Sequence, residues 1–137
     1  MARNLLHNID VRVAIVPTDW TATTSGAIID RNGFESIVFQ INAGAETALD
    51  SSNYFTFTIQ EGDDSALSDA ATATKVDTVD SWDKVLNAAG ETPGTYEISY
   101  YGDKRYCRLV MTETATAQCI VGAVAILGHA THGPAAS

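Results

Sequence analysis

The stretch YFTFTIQE, residues 54–61, alternates between apolar and polar side chains. In an extended chain successive side chains point to opposite faces, so Phe55, Phe57 and Ile59 share one face. The opposite face carries threonine and glutamine, which predicts a β-strand that is packed on one side and hydrated on the other. The segment FESIVFQI, residues 34–41, repeats this pattern and predicts a second strand of the same kind.

Period-two alternation continues along the chain, and helical periodicity is almost absent. Further strands are predicted at residues 9–16, 26–30, 95–101, 105–112 and 118–127, with shorter ones at 74–78 and 83–86. Many short strands with Gly-rich connections are typical of antiparallel sheets packed face to face. The predicted fold is therefore all-β, an antiparallel β-sandwich over residues 9–129, with a jelly roll as the preferred topology. An N-terminal arm (1–8) precedes it and a flexible C-terminal tail (130–137) follows.

The connections between these segments contain residues that favour chain reversal. The Asn-Gly pair in DRNG, residues 30–33, predicts a β-hairpin. Other reversals are predicted at NAGAET (42–47), ETPG (91–94) and YGDKRY (101–106). Only residues 67–73 and 81–90 have a composition that suits a helical turn. The segment 118–127 is apolar on both faces, which predicts a central strand.

The charge of the chain limits its partners. It has 137 residues and a formal net charge of −9, with 8 lysine and arginine residues. A nucleic-acid surface needs clustered basic side chains, so we expect no nucleic-acid partner and repulsion from anionic membranes. The longest apolar run, residues 119–127, is far shorter than the roughly 20 residues of a membrane-spanning helix. The N-terminus lacks the apolar segment of a signal peptide.

The chain contains two cysteines, Cys107 and Cys119. Two cysteines do not make a disulfide framework, and reduced thiols are the favoured interpretation. An oxidised pair stays open as an alternative if the two residues face each other across a hairpin that turns near residues 112–115.

An acidic cluster follows the strand at residues 54–61. A calcium loop needs ordered ligands, as in D-x-[DN]-x-[DN]-G with a distal Glu, and EGDDSALSDA lacks that order. An acid–base pair of carboxylates needs burial to separate the two pKa values. Asp and Ser at a strand end commonly cap backbone N–H groups, so the cluster is predicted to be a hydrated turn, with cation binding as the alternative. Its members are Glu61, Asp63, Asp64 and Asp69.

His129 and His132 have the H-x-x-H spacing of some metal ligands, but a zinc site needs three or four ligands. The sequence contains no nucleophile elbow, phosphate loop or dinucleotide-binding motif. We therefore expect no metal, no cofactor and no enzymatic activity.

The basic residues concentrate at Lys104, Arg105 and Arg108. Alternation puts Arg105 and Arg108 on opposite faces, so we expect local pairing with carboxylates and no continuous basic stripe. Nearby tyrosines are predicted to pack on the sheet, with an exposed subset available for a protein contact. These are Tyr96, Tyr100, Tyr101 and Tyr106.

Three stretches together carry a family resemblance: FTFTIQEGDDSALSDAA (55–71), YEISYYGDKRYCRLVM (96–111) and VGAVAILGH (121–129). They resemble small proteins encoded near the major capsid gene of tailed bacteriophages, the head decoration or capsid-cementing class. The resemblance runs from about Ile9 to His129. Its most telling residues are Gly102, Lys104, Arg105, Tyr106 and Arg108. One departure is that Gly62 precedes the Asp pair, and Leu67 stands where those proteins tend to have an aromatic residue.

The resemblance implies a jelly-roll homotrimer on the outside of the phage head, made in the host cytoplasm. Its implied partners are the major capsid protein and further copies of itself, and it implies no catalytic residue. The residues expected at the capsid or oligomer interface are Leu5, Leu6, Ile9, Tyr101, Arg105, Tyr106 and His129.

The leucines of the arm stand in a polar, unpatterned segment and need a place to bury. We expect Leu5, Leu6 and Ile9 to order on a partner surface, and the alternative is that they close one end of the sandwich. Two other functions stay open. One is a carbohydrate-binding sandwich with tyrosine platforms and a calcium loop, and the other is a tail or head-tail connector component.

Overall fold

The computed structural model describes residues 4–131. These residues contain strands β1 (Ile9–Trp20), β2 (Thr24–Ser25), β3 (Ile29–Asp30), β4 (Phe34–Ala48), β5 (Tyr54–Gly62), β6 (Ala71–Thr72), β7 (Val76–Thr78), β8 (Val85–Leu86), β9 (Gly94–Tyr100), β10 (Tyr106–Thr114) and β11 (Gln118–Ala130). Three short 3-10 helices lie at Leu6–Asn8, Val79–Ser81 and Ala89–Glu91. The described part of the chain is therefore all-β, as the alternation predicts.

The strands form two antiparallel sheets. The first has the order β1-β11-β4-β9-β7, and the second has the order β2-β10-β5-β6, with β3 also on β10 and β8 also on β5. In the second sheet, the short strands β2 and β3 both pair with β10 and together occupy one strand position. The short strands β6 and β8 both pair with β5 and together occupy another. Without the short edge strand β7, the first sheet reads β1-β11-β4-β9 and the second reads β2/β3-β10-β5-β6/β8. Counted along the chain as eight strand positions, these orders are 1-8-3-6 and 2-7-4-5. This is the strand order of a jelly roll, so the predicted fold and topology are confirmed.

The core lies between the two sheets. Phe55, Phe57 and Ile59 of β5 are buried, with exposed fractions of 0 to 2%. From the first sheet, Ile37, Phe39 and Ile41 of β4 are equally buried. Strand β11 lies between β1 and β4, which confirms the central position predicted for it. Burial of these apolar faces is the main source of stability in a sandwich that has no α-helix in its described part.

Two local predictions are wrong. NAGAET is no turn but part of β4, which runs on to Ala48 and pairs with β11 through two register shifts. DRNG does reverse the chain, with Gly33 at φ 93, but β3 and β4 belong to different sheets, so it is no hairpin. In both cases the Gly-containing composition favoured a chain reversal, but it does not determine which strands pair with each other. Residues 67–73, whose composition suits a helical turn, form a hydrogen-bonded turn in which the Ala70 N–H donates to the Leu67 carbonyl, and β6 follows.

The two cysteines also lie in different sheets. Cys107 is in β10 and Cys119 in β11, strands that are not neighbours, so the hairpin that would oppose them does not form. Both thiols are free and buried. Burial raises the pKa of the Cys107 thiol to about 12 and that of Cys119 to about 11. Both residues are therefore neutral core side chains at physiological pH.

Gly26 marks a close approach between β1 and β10. Its N–H donates to the Leu109 carbonyl at 2.7 Å, and the Ala27 N–H donates to the Ala14 carbonyl at 2.8 Å. A Cβ atom on Gly26 would lie 2.5 Å from the Ala14 oxygen and 2.7 Å from the Leu109 oxygen. Both contacts are with backbone atoms, which cannot move away independently of their strands.

Gly26→Ala is therefore expected to lower the free energy of unfolding by about 2–3 kcal/mol, as overpacking does in a filled interior. Urea denaturation followed by tryptophan fluorescence measures this change. Gly90→Ala is the matched control, because a Cβ on Gly90 meets nothing within 4 Å. Equal midpoints for the two variants would contradict the close approach at Gly26.

Candidate functional site

The strand order gathers the predicted interface residues at one end of the sandwich. Ile9 at the start of β1 pairs with Gly128 near the end of β11. Ile37, near the start of β4, pairs with Leu127 of β11 and with Tyr100, the last residue of β9. The loop 101–105 leaves from that end and enters β10. We call this end the arm end, and it brings together Leu5, Leu6, Ile9, Tyr101, Arg105, Tyr106 and His129.

The arm residues form a preordered turn at this end. The side-chain oxygen of Asn4 accepts a hydrogen bond from the Leu6 N–H, and the Asn8 side chain donates back to the Asn4 carbonyl. The Asn8 N–H also donates to the Leu5 carbonyl at 2.9 Å. Leu5 and Leu6 are 65% and 66% exposed, so they do not close the end of the sandwich. Exposed hydrophobic side chains that lie side by side are a candidate contact surface.

The loop 101–105 is braced by a buried arginine that the sequence did not single out. Arg31 is 9% exposed, and its guanidinium donates to the Lys104 carbonyl at 2.6 and 2.9 Å and to the Gly102 carbonyl at 3.1 Å. The guanidinium carbon lies 4.9 Å from the centre of the Tyr100 ring. A planar donor of this kind can bind several carbonyls and stack on a ring at once.

Tyr100 extends this network to the acidic cluster. Its hydroxyl donates to the Glu61 carboxylate at 2.8 Å and accepts from the Lys104 N–H at 3.1 Å. Burial raises the pKa of Tyr100 far above its usual value, and the bond to Glu61 adds to the shift. The tyrosine therefore stays protonated and links the ends of β5 and β9. Tyr100 is one of the tyrosines predicted to pack on the sheet, and this is confirmed.

Charged and aromatic side chains are exposed beside this brace. Arg105 donates two hydrogen bonds of 2.9 Å to the Asp30 carboxylate, and its guanidinium carbon lies 5.1 Å from the centre of the Tyr106 ring. The hydrogen bonds from Arg105 lower the pKa of Asp30. Tyr101 is 62% exposed. The predicted local pairing of Arg105 with a carboxylate is confirmed, and Tyr101 is available for a protein contact.

His129 also belongs to the arm end. It is exposed, and its Nδ1 forms a short hydrogen bond with the Ser36 hydroxyl. His132, the second histidine of the H-x-x-H pair, lies outside the described residues. Within residues 4–131, no group of three or more His, Cys, Asp or Glu side chains is arranged to hold a metal ion.

The acidic cluster forms a hydrogen-bonded turn. Asp69 accepts from the backbone N–H groups of Asp63 and Asp64 at 2.9 and 3.3 Å. Asp64 accepts from the N–H groups of Ala66 and Ser68 at 3.0 and 3.1 Å. The predicted capping turn is confirmed. Leu67, within this turn, is buried with an exposed fraction of 4%.

The pH dependence of this turn follows from its hydrogen bonds. The backbone bond from Ser68 lowers the pKa of Asp64, and that from Asp63 lowers the pKa of Asp69. A carboxylate with a lowered folded-state pKa stabilises the protein above its unfolded pKa of about 3.9, and this stability is lost as pH falls through the folded-state value. The double variant Asp64→Asn/Asp69→Asn is therefore expected to be less stable than wild type at pH 7, with the difference shrinking towards pH 3.

Urea midpoints at the two pH values test this expectation. Asp103→Asn is the control, because Asp103 is an exposed aspartate in the neighbouring loop. A midpoint difference that stays constant between pH 7 and pH 3 would show that the two carboxylates do not act as charged caps.

The four tyrosines do not share one platform. Tyr100 is buried, whereas Tyr101 is exposed. Tyr96 stacks on Trp82 with ring centres 4.6 Å apart, and its hydroxyl donates to the Glu91 carbonyl. A sugar platform built from all four side chains is therefore not formed.

A second exposed apolar feature lies on the outer face of the first sheet. Val13 of β1 pairs with Val124 of β11 there, and Val13 is 54% exposed. Pro17 packs over Gly122 and Ile120 packs over Gly44, where an added Cβ would lie 2.9 and 3.2 Å from these side chains. A shallow groove of about 510 Å³ lies beside them. Pro17, Ile120 and the two valines form its apolar side, and Gln40, Asn42 and Thr95 form its polar side. None of the described residues that line this sheet groove is charged.

Comparison with other proteins adds one structural likeness. No family model matches the sequence, and no curated protein matches it. The chain is similar to the crystal structure of the SPBc2 prophage-derived protein YomS, with a TM-score of 0.49 and 11% sequence identity over 93% of this chain and 100% of that chain. In residues 4–131, no helix is long and apolar enough to cross a membrane. What the protein does must be inferred from its own surfaces.

Proposed function

We propose that this protein is a non-enzymatic structural component of a tailed-bacteriophage virion. It binds the outside of the capsid as a homo-oligomer, a trimer, and stabilises the head shell. Its partners are the major capsid protein and further copies of itself, and it is made in the host cytoplasm before it joins the virion exterior. The family resemblance of the sequence motivates this proposal.

The observation that carries the proposal is the exposed arm. Leu5 and Leu6 hold their side chains in solvent on a preordered turn, although a leucine side chain gains about 1.5–3 kcal/mol when it is fully buried. Two adjacent leucines in this state support a role in contact with another protein. Tyr101 and Arg105 stand at the same end of the sandwich, and tyrosine and arginine are enriched at protein interfaces.

A rigid block of this kind stabilises a shell by adding contacts that must break before capsid subunits separate. The Arg31 brace holds the loop 101–105 in one conformation, so little conformational entropy is lost when the loop is bound. Three linked copies act together, and avidity can exceed the affinity of one contact by about 10²–10⁴-fold. The charge of −9 suits a position outside the shell, away from packaged DNA.

Co-sedimentation with undecorated mature heads tests the proposal. Purified protein is mixed with heads, pelleted and quantified, while light scattering gives its oligomeric state in solution. Saturable binding to heads and better survival of decorated heads on heating are expected. A protein that stays in the supernatant at all concentrations would contradict the proposal, and rings of six would favour a tail or connector component.

Carbohydrate binding is the second candidate, favoured by a shallow pocket of about 410 Å³ beside Trp82. Trp82, Tyr96 and the carboxylate-bearing residues Asp80 and Glu97 line it, and a ring with adjacent polar groups suits a sugar. Glycan binding that changes tryptophan fluorescence would support this function. A melting temperature that rises with calcium and falls with EDTA would support the calcium-dependent form.

A further inference from the structure

The Asn-Gly pair of the DRNG turn reverses the chain between the two sheets and does not form the predicted hairpin. Asn32 is the only asparagine of the chain that precedes a glycine. An asparagine loses its side-chain amide when the backbone nitrogen of the next residue attacks the side-chain carbonyl carbon. A Cβ atom on that next residue hinders the attack, and glycine has none. The pair is therefore a candidate site of spontaneous modification.

The turn leaves the reacting groups accessible. The Phe34 N–H donates to the Arg31 carbonyl at 2.9 Å, so residues 31–34 form a β-turn with Asn32 and Gly33 at its centre. Gly33 has φ 93, and Asn32 is not among the non-glycine residues with positive φ, which identifies a type II turn. Asn32 is exposed, and a Cβ on Gly33 would meet nothing within 4 Å. Packing therefore does not shield the side-chain amide.

The peptide unit between Asn32 and Gly33 carries no hydrogen bond that resists its rotation. In a type II turn the first central residue has ψ of about 120°, and the next nitrogen has to swing towards the side chain before a ring can close. Among residues 4–131, neither the Asn32 carbonyl nor the Gly33 N–H takes part in a hydrogen bond. The turn is held from outside this unit, by bonds of 2.9 Å from the Asn32 N–H to Asp30 and from the Thr131 N–H to the Gly33 carbonyl. Rotation therefore breaks no hydrogen bond between described residues.

We propose that Asn32 deamidates in the folded protein and becomes isoaspartate or aspartate. The Gly33 nitrogen bonds to the side-chain carbonyl carbon of Asn32, the bond from that carbon to the side-chain NH2 breaks, and ammonia leaves with the proton that Gly33 loses. Water then opens the five-membered ring. Opening at the main-chain carbonyl carbon gives isoaspartate, whose backbone runs through the side chain, and opening at the side-chain carbon gives aspartate. Both products replace a neutral amide with a carboxylate at the arm end.

The new carboxylate lies beside the pair formed by Asp30 and Arg105. Arg105 donates two hydrogen bonds of 2.9 Å to Asp30, which also accepts from the Asn32 N–H. A second carboxylate two residues from Asp30 repels the first and offers Arg105 another partner. Because Arg105 is a candidate contact residue, the surface of the arm end changes as the protein ages. This consequence for capsid binding rests on the proposed function, whereas the deamidation itself does not.

Incubation of the purified full-length protein at pH 8 tests the site. Anion-exchange chromatography separates the more acidic product, and peptide mapping with isoaspartyl methyltransferase labelling locates it. We expect Asn32 to convert about ten-fold faster than Asn87, a difference of about 1.4 kcal/mol in activation free energy. Asn87 is the internal control, because it is exposed but precedes Ala88.

The same incubation in urea measures how much the fold protects the site. Since the peptide unit is unbonded and exposed, the rates at Asn32 in folded and unfolded protein should agree within about ten-fold. Stronger protection by the fold would overturn the inference, and so would conversion at Asn32 that is no faster than conversion at Asn87.

Head co-sedimentation of fresh and aged protein tests the effect on the arm end. Asn32→Ser is the control, because a serine side chain has no amide to lose. Aged wild type is expected to be retained about ten-fold more weakly than fresh wild type, since linked copies multiply a small loss at each contact. Equal retention of fresh and aged wild type, or an equal loss in aged Asn32→Ser, would overturn this effect and leave the modification site intact. A protein that never binds heads would reject the capsid function, while the deamidation would still be measured in solution.

Discussion

Replacing Leu5 and Leu6 together with serine is expected to lower retention on phage heads by about 10²–10⁴-fold. The loss has two causes. The leucines supply the exposed apolar surface of the arm, and because an oligomer binds through several such contacts the loss at each contact is multiplied. The fold itself should be unaffected, because both side chains are exposed and such surface changes usually alter stability by less than about 0.5 kcal/mol.

The measurement combines three readouts on the same samples: head co-sedimentation, oligomer mass by light scattering, and melting temperature. Val79→Ser is the control, since it removes an exposed apolar side chain elsewhere on the surface. A double leucine variant that is retained on heads as strongly as wild type would contradict the role of the arm. A monomeric variant that binds heads as tightly as wild type would show that avidity contributes nothing to decoration.

Alternation in the sequence predicted the buried face of β5 but not that of β1. In IDVRVAIV, residues 9–16, the apolar side chains alternate with Asp10 and Arg12. The structure turns Val11 and Val13 outward, with exposed fractions of 50% and 54%, and sets Arg12 opposite the buried Ala125. A bulge after Val13 then returns Ile15 to the core. Because the side-chain period is two, one extra residue reverses the exposed face, and composition does not reveal it.

The candidate site was also predictable only in part, because some of its features depend on contacts between strands that are distant in sequence. The residues of the YGDKRY turn and the arm were identified because their types are typical of interfaces. The sheet groove was not, since its lining comes from four strands, β1, β11, β4 and β9, that register brings to one face. In the sequence, Arg31 is only the second residue of the DRNG turn. The burial of its guanidinium under the loop 101–105 depends on the crossing between sheets, which no local pattern records.

Arg31→Met is expected to lower the free energy of unfolding by about 2–4 kcal/mol. The substitution keeps the aliphatic packing but leaves the carbonyls of Gly102 and Lys104 without their donor, and each unpaired buried acceptor costs about 1–3 kcal/mol. The stacking on Tyr100 is lost as well. Arg31→Lys should recover only part of this loss. The planar guanidinium of arginine binds two carbonyls and stacks on the ring at once, and the compact ammonium group of lysine cannot do both.

Urea unfolding gives the stability, and hydrogen exchange of residues 101–105 reports whether the loop loosens before the sandwich unfolds. The matched control is Arg105→Met, which removes an exposed guanidinium from the same end of the sandwich and should have a much smaller effect. If the loop is a capsid contact, Arg31→Met should also weaken head binding at temperatures where the fold is intact, since a mobile loop loses more entropy when it is bound. Equal effects of Arg31→Met and Arg105→Met on stability and exchange would mean that burial of Arg31 does not brace the loop.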